Sequence, residues 1–350
     1  MDLTFRRFDL QLRHSWAIAA DGPKPGRSIC PVIFVELTDS RGCHGLGEGS
    51  PSSQYHESAE TMAAFLARVD ARRLSFDDVP ASMAYLDSLA HDKYPSKCAI
   101  NIALIDGAAR AAGLPACEYL GLKFEAGRHR TSFSIGLDLP DHIERKVNEA
   151  AQYPILKLKV GGPHDRENLS AVRRAAPGKT LRVDANAAWK TREIALENIA
   201  WLAGDPGIEF VEQPMPADAS LADLEWLRAR SPLPLFADES YHSARDVARC
   251  VAGFHGVNVK LVKTGGLTGA HAALTAARAA GLKTMIGCMI ESSVLITAGA
   301  HLAALSDHLD LDGNVLTKND PYEGVRNQDG VLSFQDVRER FGLRVRLQTV

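Results

Sequence analysis

Eight short apolar runs in the second part of this chain end on a charged residue or a glycine, at a nearly constant interval. They cover residues 131–136, 155–159, 181–184, 209–212, 235–238, 257–260, 283–287 and 309–312. From the second run onward the ends are separated by 25, 28, 26, 22, 27 and 25 residues. That is the length of one strand, one crossover helix and two loops. The intervening segments, 192–203 and 269–280 among them, are rich in Ala and Leu and read as helix. Eight strand–helix units in succession predict an α/β protein with a parallel (β/α)8, TIM-like barrel rather than a sandwich.

Residues 1–120 have a different texture. Strands are expected at 3–13, 31–38 and 43–48, where β-branched and aromatic residues suit a pleated surface. Asp39-Ser40-Arg41-Gly42 supplies a hairpin turn between the last two. A long loop over 15–30 carries Gly and Pro, and loops of that length are often functional lids. Helices are expected at 58–69 and 97–112, the second stopped by Gly113-Leu114-Pro115. The tail beyond residue 321 holds no further unit; 330–334 and 343–348 read as strands returning to the N-terminal domain.

Composition excludes several function classes. A net charge of −3 gives no basic bias for nucleic acid. No run of 18 apolar residues exists, so no membrane partner is expected. The start, Met1-Asp2-Leu3-Thr4-Phe5-Arg6-Arg7, lacks the order of a signal peptide. Six cysteines are scattered without CxxC spacing, as expected of free thiols in a cytoplasmic protein.

The chemistry sits at the strand ends, where barrel enzymes place their active sites. Lys157 and Lys159 end the second run, on the same side of the strand by alternation. Asp184 ends the third, Glu212 the fourth, Asp238 the fifth and Lys260 the sixth; Asp310 and Asp312 end the eighth. One such acid alone is as well explained by an ion pair or a helix cap. Three in consecutive units would repel one another without a cation, and an all-oxygen site suits Mg²⁺. Strands two and six face each other across an eight-stranded barrel. Lys159 and Lys260 would then flank a metal-held substrate, unless they serve only as counter-ions.

The set KLK (157–159), DAN (184–186), VEQP (211–214), ADES (237–240) and KLVKTGG (260–266) resembles the enolase superfamily, in its muconate-lactonizing-enzyme-like subgroup. Residues 99–121 resemble the last helix of that family's capping domain. The resemblance runs over nearly the whole chain. It implies an α+β capping domain (1–120, joined by 322–350) over a modified (β/α)7β barrel (121–321). It implies one Mg²⁺ per subunit on Asp184, Glu212 and Asp238. It also implies Lys159 and Lys260 as opposed acid/base residues working through an enediolate, with Lys157 adding positive charge beside the substrate carboxylate.

Within the subgroup, Asp310-Leu311-Asp312 looks like the motif with which dipeptide epimerases hold the substrate's α-ammonium group. Residues 288–292 (CMIES), with Met289, also resemble the epimerases, and Ser134 is placed to touch the peptide. The expected partner is a small-molecule dipeptide, epimerised at one α-carbon, in an enzyme of a family that often forms homo-oligomers. Loops 16–28 and 49–56 would close over the side chains: Arg27 could meet a side-chain carboxylate, or Trp16 and Tyr55 could line an apolar pocket. The balance leans to a small or apolar dipeptide. Alternatives are an N-acylamino-acid racemase, an o-succinylbenzoate synthase or a muconate cycloisomerase on the same site. A silent barrel that only binds, or a metal-free Schiff-base aldolase, would leave the acid triad or the lysine pair without a task.

Overall fold

The computed structural model describes residues 1–22 and 26–348. Residues 23–25 of the expected loop, and the last two of the tail, lie outside the described residues.

Three strands open the chain: β1 (Asp2–Trp16), β2 (Arg27–Thr38) and β3 (His44–Gly49), paired antiparallel in that order. The β2–β3 turn closes where expected, with the Gly42 N–H donating to the Asp39 carbonyl at 3.0 Å. β1 runs three residues past the predicted end, and β2 starts four earlier than predicted, which shortens the connecting loop.

One face of this sheet packs on the helix Tyr94–Ala111. Gly45, Gly47 and Gly49 alternate along β3 and bring its backbone directly onto that helix. A Cβ on Gly47 would lie 1.9 Å from the Ala99 carbonyl oxygen, and one on Gly45 2.0 Å from that of Ala103. The helix itself was expected from residue 97; Pro95 in its first turn lets it begin three residues sooner.

The second unit is the barrel. β4 (Phe133–Ile135), β5 (Ile155–Lys159), β6 (Thr180–Asp184), β7 (Ile208–Glu212), β8 (Leu235–Ala237), β9 (Gly256–Lys260), β10 (Lys283–Gly287) and β11 (His308–Asp310) form one parallel sheet in chain order. Its edges meet through the Ser132 N–H, which donates to the Leu309 carbonyl at 3.1 Å. Helices fill each of the seven crossovers, and none follows β11 among the described residues, which is the (β/α)7β arrangement. Phe210 stacks on Phe236 at 4.2 Å and packs with Met285, plugging the inside of the barrel.

The tail departs from expectation in one respect. β12 (Tyr322–Glu323) pairs with β15 (Arg346–Leu347), and β13 (Arg326–Gln328) with β14 (Val331–Ser333); neither pair joins the N-terminal sheet. The tail meets the first unit through side chains and single backbone bonds instead. Tyr322 packs edge-on against Phe34 of β2 at 4.9 Å, and the Leu343 N–H donates to Asp106 at 2.7 Å. Among the described residues no helix is long and apolar enough to cross a membrane.

A buried carboxylate ties the first unit to the barrel. Glu48 of β3 accepts from the Ser292 N–H (2.9 Å), the Ser292 hydroxyl (2.5 Å) and the Leu295 N–H (3.0 Å). The two N–H groups are among the free donors at the start of the helix Ser293–Ala300, so Glu48 adds, from another part of the chain, to the cap that Ser292 itself places on the Val294 N–H. Burial outweighs these bonds and pushes Glu48 up to about 7.

Two predictions follow from these contacts. Gly47→Ala should destabilise the protein by several kcal/mol, because backbone cannot yield as a flexible side chain can. Gly178→Ala meets nothing within 4 Å and should stay within about 0.5 kcal/mol of wild type. Equal losses in denaturant unfolding would contradict the close packing of β3. Second, between pH 4.5 and about 7 folded Glu48 keeps a proton that the unfolded chain has released. Stability from this group is therefore complete below that window and falls as pH rises through it, by about 1.4 kcal/mol per unit. Glu48→Gln should flatten the slope of unfolding free energy against pH there; an unchanged slope would mean that Glu48 ionises normally.

Candidate active site

Ladder register brings the polar strand ends level. Lys159 lies beside Asp184, Asp184 beside Glu212, and Gly287 beside both Lys260 and Asp310. Alternation turns these side chains into the barrel mouth, where Asp184, Glu212 and Asp238 are all fully buried. One carboxylate oxygen from each lies within 4.8 Å of the others.

The chain turns sharply just past these acids. Asn186, Ala187 and Gln213 hold left-handed φ values of 42°, 61° and 34°. Non-glycine residues there are strained, and such strain collects where a site must be aimed. The turns are useful: the Asn186 N–H bonds back to Asp184 at 2.9 Å, and the Gln213 side-chain oxygen accepts from the Asp238 N–H at 2.9 Å.

The lysines bracket the acids. Lys159 Nζ donates to Asp184 at 2.6 Å, and Lys260 Nζ to Asp238 at 2.7 Å. Lys157 lies among three carboxylates, at 3.1 Å from Asp184, 2.7 Å from Glu212 and 2.7 Å from Asp310. Burial works against its charge, but Asp310, Glu212 and Asp184 together hold Lys157 well above the ordinary lysine value. Lys260 is likewise raised, with Asp238 overcoming burial. The acids split accordingly. Burial and the neighbouring Asp184 push Glu212 up to about 7, whereas Asp238, despite burial, is lowered by Lys260 and Lys263.

These residues fit a hard divalent cation. Glu212 Oε2 is buried and has no aligned hydrogen-bond donor among the described residues, although Lys157 lies near it. The donor set is all oxygen, with three carboxylates, as Mg²⁺ prefers. Asn258 fixes the other oxygen of Glu212 at 2.7 Å, and Lys263 fixes Asp238 at 2.6 Å. Outer partners of this kind set the direction of metal ligands.

On the far side of the mouth Asp310 accepts from the Ser132 hydroxyl at 2.7 Å and the Ser134 hydroxyl at 3.4 Å. Asp312 accepts from the Ser134 N–H at 2.5 Å. Burial and the adjacent Asp310 push Asp312 up to about 7. Lys159, Lys260, Ser134, Met289, Asp310 and Asp312 line one pocket with Trp16 at the end of β1, Arg27 at the start of β2 and Gln54 from the turn Ser53–Tyr55. Lys157 is buried against the acids and is not among that pocket's lining residues.

Two sequence expectations change in detail. Arg27 reaches the pocket, but its guanidinium is held by Asp21 at 2.7 Å. Tyr55 is not among the residues that line the pocket with Trp16; it is buried, with its ring edge-on to His242 at 6.2 Å. Gln213 and Asn258 were not singled out from the sequence. Asn258 carried a usable signal, since it stands two residues before Lys260 and so shares its face.

Removing the Lys157 ammonium should leave Asp184, Glu212 and Asp310 without their shared counter-charge. Lys157→Met is expected to lower unfolding free energy in chelator by about 3–5 kcal/mol. A loss below about 1 kcal/mol would mean that the acids take up protons instead.

Comparisons with known proteins agree with this geometry. The family described as mandelate racemase / muconate lactonizing enzyme, N-terminal domain, matches residues 25–121, and the enolase C-terminal domain-like family matches 139–343. An L-Ala-D/L-amino acid epimerase of Pedosphaera parvula is 56% identical over 99% of both chains. A hydrophobic dipeptide epimerase of Roseobacter litoralis is 37% identical over 85% of this chain and 87% of its own. Among solved structures, a dipeptide epimerase from Cytophaga hutchinsonii, complexed with Mg and the dipeptide D-Ala-L-Val, superposes with a TM-score of 0.88 at 27% identity, covering 99% of this chain and 95% of that one. The substrate-liganded L-Ala-D/L-Glu epimerase from Bacillus subtilis gives 0.88 at 26%, covering 98% and 97%. With both family domains matched in order and the acid triad in place, this chain belongs to the mandelate racemase/muconate lactonizing enzyme group of the enolase superfamily.

Proposed function

We propose that this protein is a Mg²⁺-dependent dipeptide epimerase, converting L-Xaa-L-Xaa to L-Xaa-D-Xaa by two-base proton transfer. The observation that carries the reading is one pocket with an amine on each side, Lys159 and Lys260, and a pair of acids, Asp310 and Asp312, at its far wall. Asp184, Glu212 and Asp238 would hold the metal. Bound there, Mg²⁺ would offset the negative charge that builds on the substrate carboxylate as the α-proton leaves.

The chain's own residues do the rest. Asp310 and Asp312 take the α-ammonium group, since two carboxylates suit a cation. Ser134 fixes both of them through its hydroxyl and its N–H. Met289 meets the peptide beside Lys260. One lysine removes the α-proton from one face, and the other returns a proton to the opposite face, through an enediolate form of the substrate. To act as a base, either lysine must first leave the aspartate that now holds it. Lys157 keeps a fixed positive charge under the substrate carboxylate.

The 56% identical relative supports alanine as the first residue. With Arg27 engaged by Asp21, a small or apolar second residue fits this pocket better than glutamate. We further assign the capping unit to 1–120 with 322–350 and the barrel to 121–321, and the enzyme to the cytoplasm, where its six cysteines stay free.

The test is NMR of the protein with Mg²⁺ in D₂O against L-Ala-L-Xaa and other L,L-dipeptides. Deuterium at one α-position and a new diastereomer are expected. EDTA, Lys159→Ala and Lys260→Ala should each lower epimerisation by at least about a hundredfold. If no dipeptide exchanges while an N-acylamino acid does, Asp310 and Asp312 do not bind an ammonium group.

A further inference from the structure

The active-site pocket is small, about 80 Å³, for a site that must hold two amino-acid residues. A second cavity of about 440 Å³ adjoins it. Trp16, Ser134 and Leu316 line both, so they form the partition between the two. Leu12, Phe133, Ile135 and Tyr153 give the second cavity apolar walls, beside the pair His14 and Glu149 at 2.6 Å. The reaction proposed above makes no use of this space. An apolar cavity of about 150 Å³ can take up benzene, so an aromatic side chain would fit here.

The partition is braced. Trp16 ends β1, and its ring lies against the backbone of Gly136: a Cβ there would stand 3.1 Å from Trp16 Cε3. The Leu137 N–H donates to the Ala17 carbonyl at 2.9 Å, which ties the residue after Trp16 to the barrel. Leu316 is bound to the same strand, its carbonyl accepting from the Arg13 N–H at 2.9 Å. Side chains fixed in this way resist displacement, because the groups behind them must move too.

We infer that Trp16, with Leu316, restricts the first residue of the substrate to a small side chain, by closing off the cavity that would receive a larger one. The inference deepens the dipeptide reading above and rests on it. Ser134 says which residue is affected. Its hydroxyl and its N–H hold Asp310 and Asp312, the acids assigned to the α-ammonium group. The side chain of the first residue leaves the same α-carbon as that ammonium, so it meets the partition to which Ser134 belongs. The α-carbon of the second residue lies between Lys159 and Lys260 instead. Overfilling a braced wall is costly, whereas removing it exposes space already formed.

The experiment measures kcat/KM by deuterium incorporation in D₂O with Mg²⁺. It compares L-Ala-L-Xaa with L-Phe-L-Xaa, where Xaa is the second residue that wild type turns over best, and L-Ala-L-Xaa with L-Ala-L-Yaa, a second good substrate. Wild type should favour alanine over phenylalanine in first place by at least about a hundredfold. Trp16→Ala should narrow that ratio at least about tenfold and keep the Xaa to Yaa ratio within about threefold. Leu316→Ala should act in the same sense by a smaller factor. Val315 lines the second cavity and not the first. Val315→Trp added to Trp16→Ala should fill that space and restore the wild-type ratio, which it would not do for a site that had merely loosened. The inference is overturned by wild type that accepts phenylalanine as readily as alanine in first place, or by an unchanged ratio in both single variants. An equal change at the second residue, or a gain that Val315→Trp does not reverse, would overturn it as well. Wild type that exchanges no L,L-dipeptide at all is a separate result: it removes the dipeptide reading, and this inference with it.

Discussion

Everything at the mouth of this barrel follows from the mutual repulsion of carboxylates buried side by side. Asp184, Glu212 and Asp238 come from three adjacent strands with no exposure to water, and Asp310 and Asp312 close the ring from the last strand. Charges so placed need a compensating charge or a proton. The fold supplies Lys157, Lys159, Lys260 and Lys263, and leaves Glu212 and Asp312 with their proton affinities raised. This balance is conditional. A divalent cation on the acids would release lysines for other work, and in the proposed reaction the amines that neutralise the resting site would serve as its bases.

The barrel does not build this site alone. Glu48 reaches from the first sheet to cap the Ser293–Ala300 helix, and the glycines of β3 seat that sheet on Tyr94–Ala111 with no side chains between them. Trp16, Arg27 and Gln54 then line the pocket, and Tyr55 is buried against His242. A rigid connection through backbone-close packing lets residues of one unit line a pocket at the mouth of another. Proton transfer needs that stiffness, because a displaced base loses rate steeply.

Much of this was legible in the sequence. The repeat of about 26 residues fixed the strand count, and the residues ending the units meet at the barrel mouth: Lys159, Asp184, Glu212, Asp238, Lys260 and Asp310 all stand at or next to the ends of their strands. Strand alternation gives the face and the barrel rule gives the end, so neither needs coordinates. The pairing of the tail was not legible. Two- and three-residue strands such as Tyr322–Glu323 carry too few residues to state a partner, and their place is set by Tyr322 packing on Phe34.

The sequence by itself determined the periodic fold and the chemical inventory of the site, because local periodicity and residue type suffice for both. Only the tertiary structure decided what each group faces. It engaged Arg27 with Asp21, buried Tyr55 against His242, and set Asn258 and Gln213 to aim the acids. These are contacts between residues 6 to 46 positions apart, or between separate units, and their energies depend on burial and distance, which no local pattern encodes.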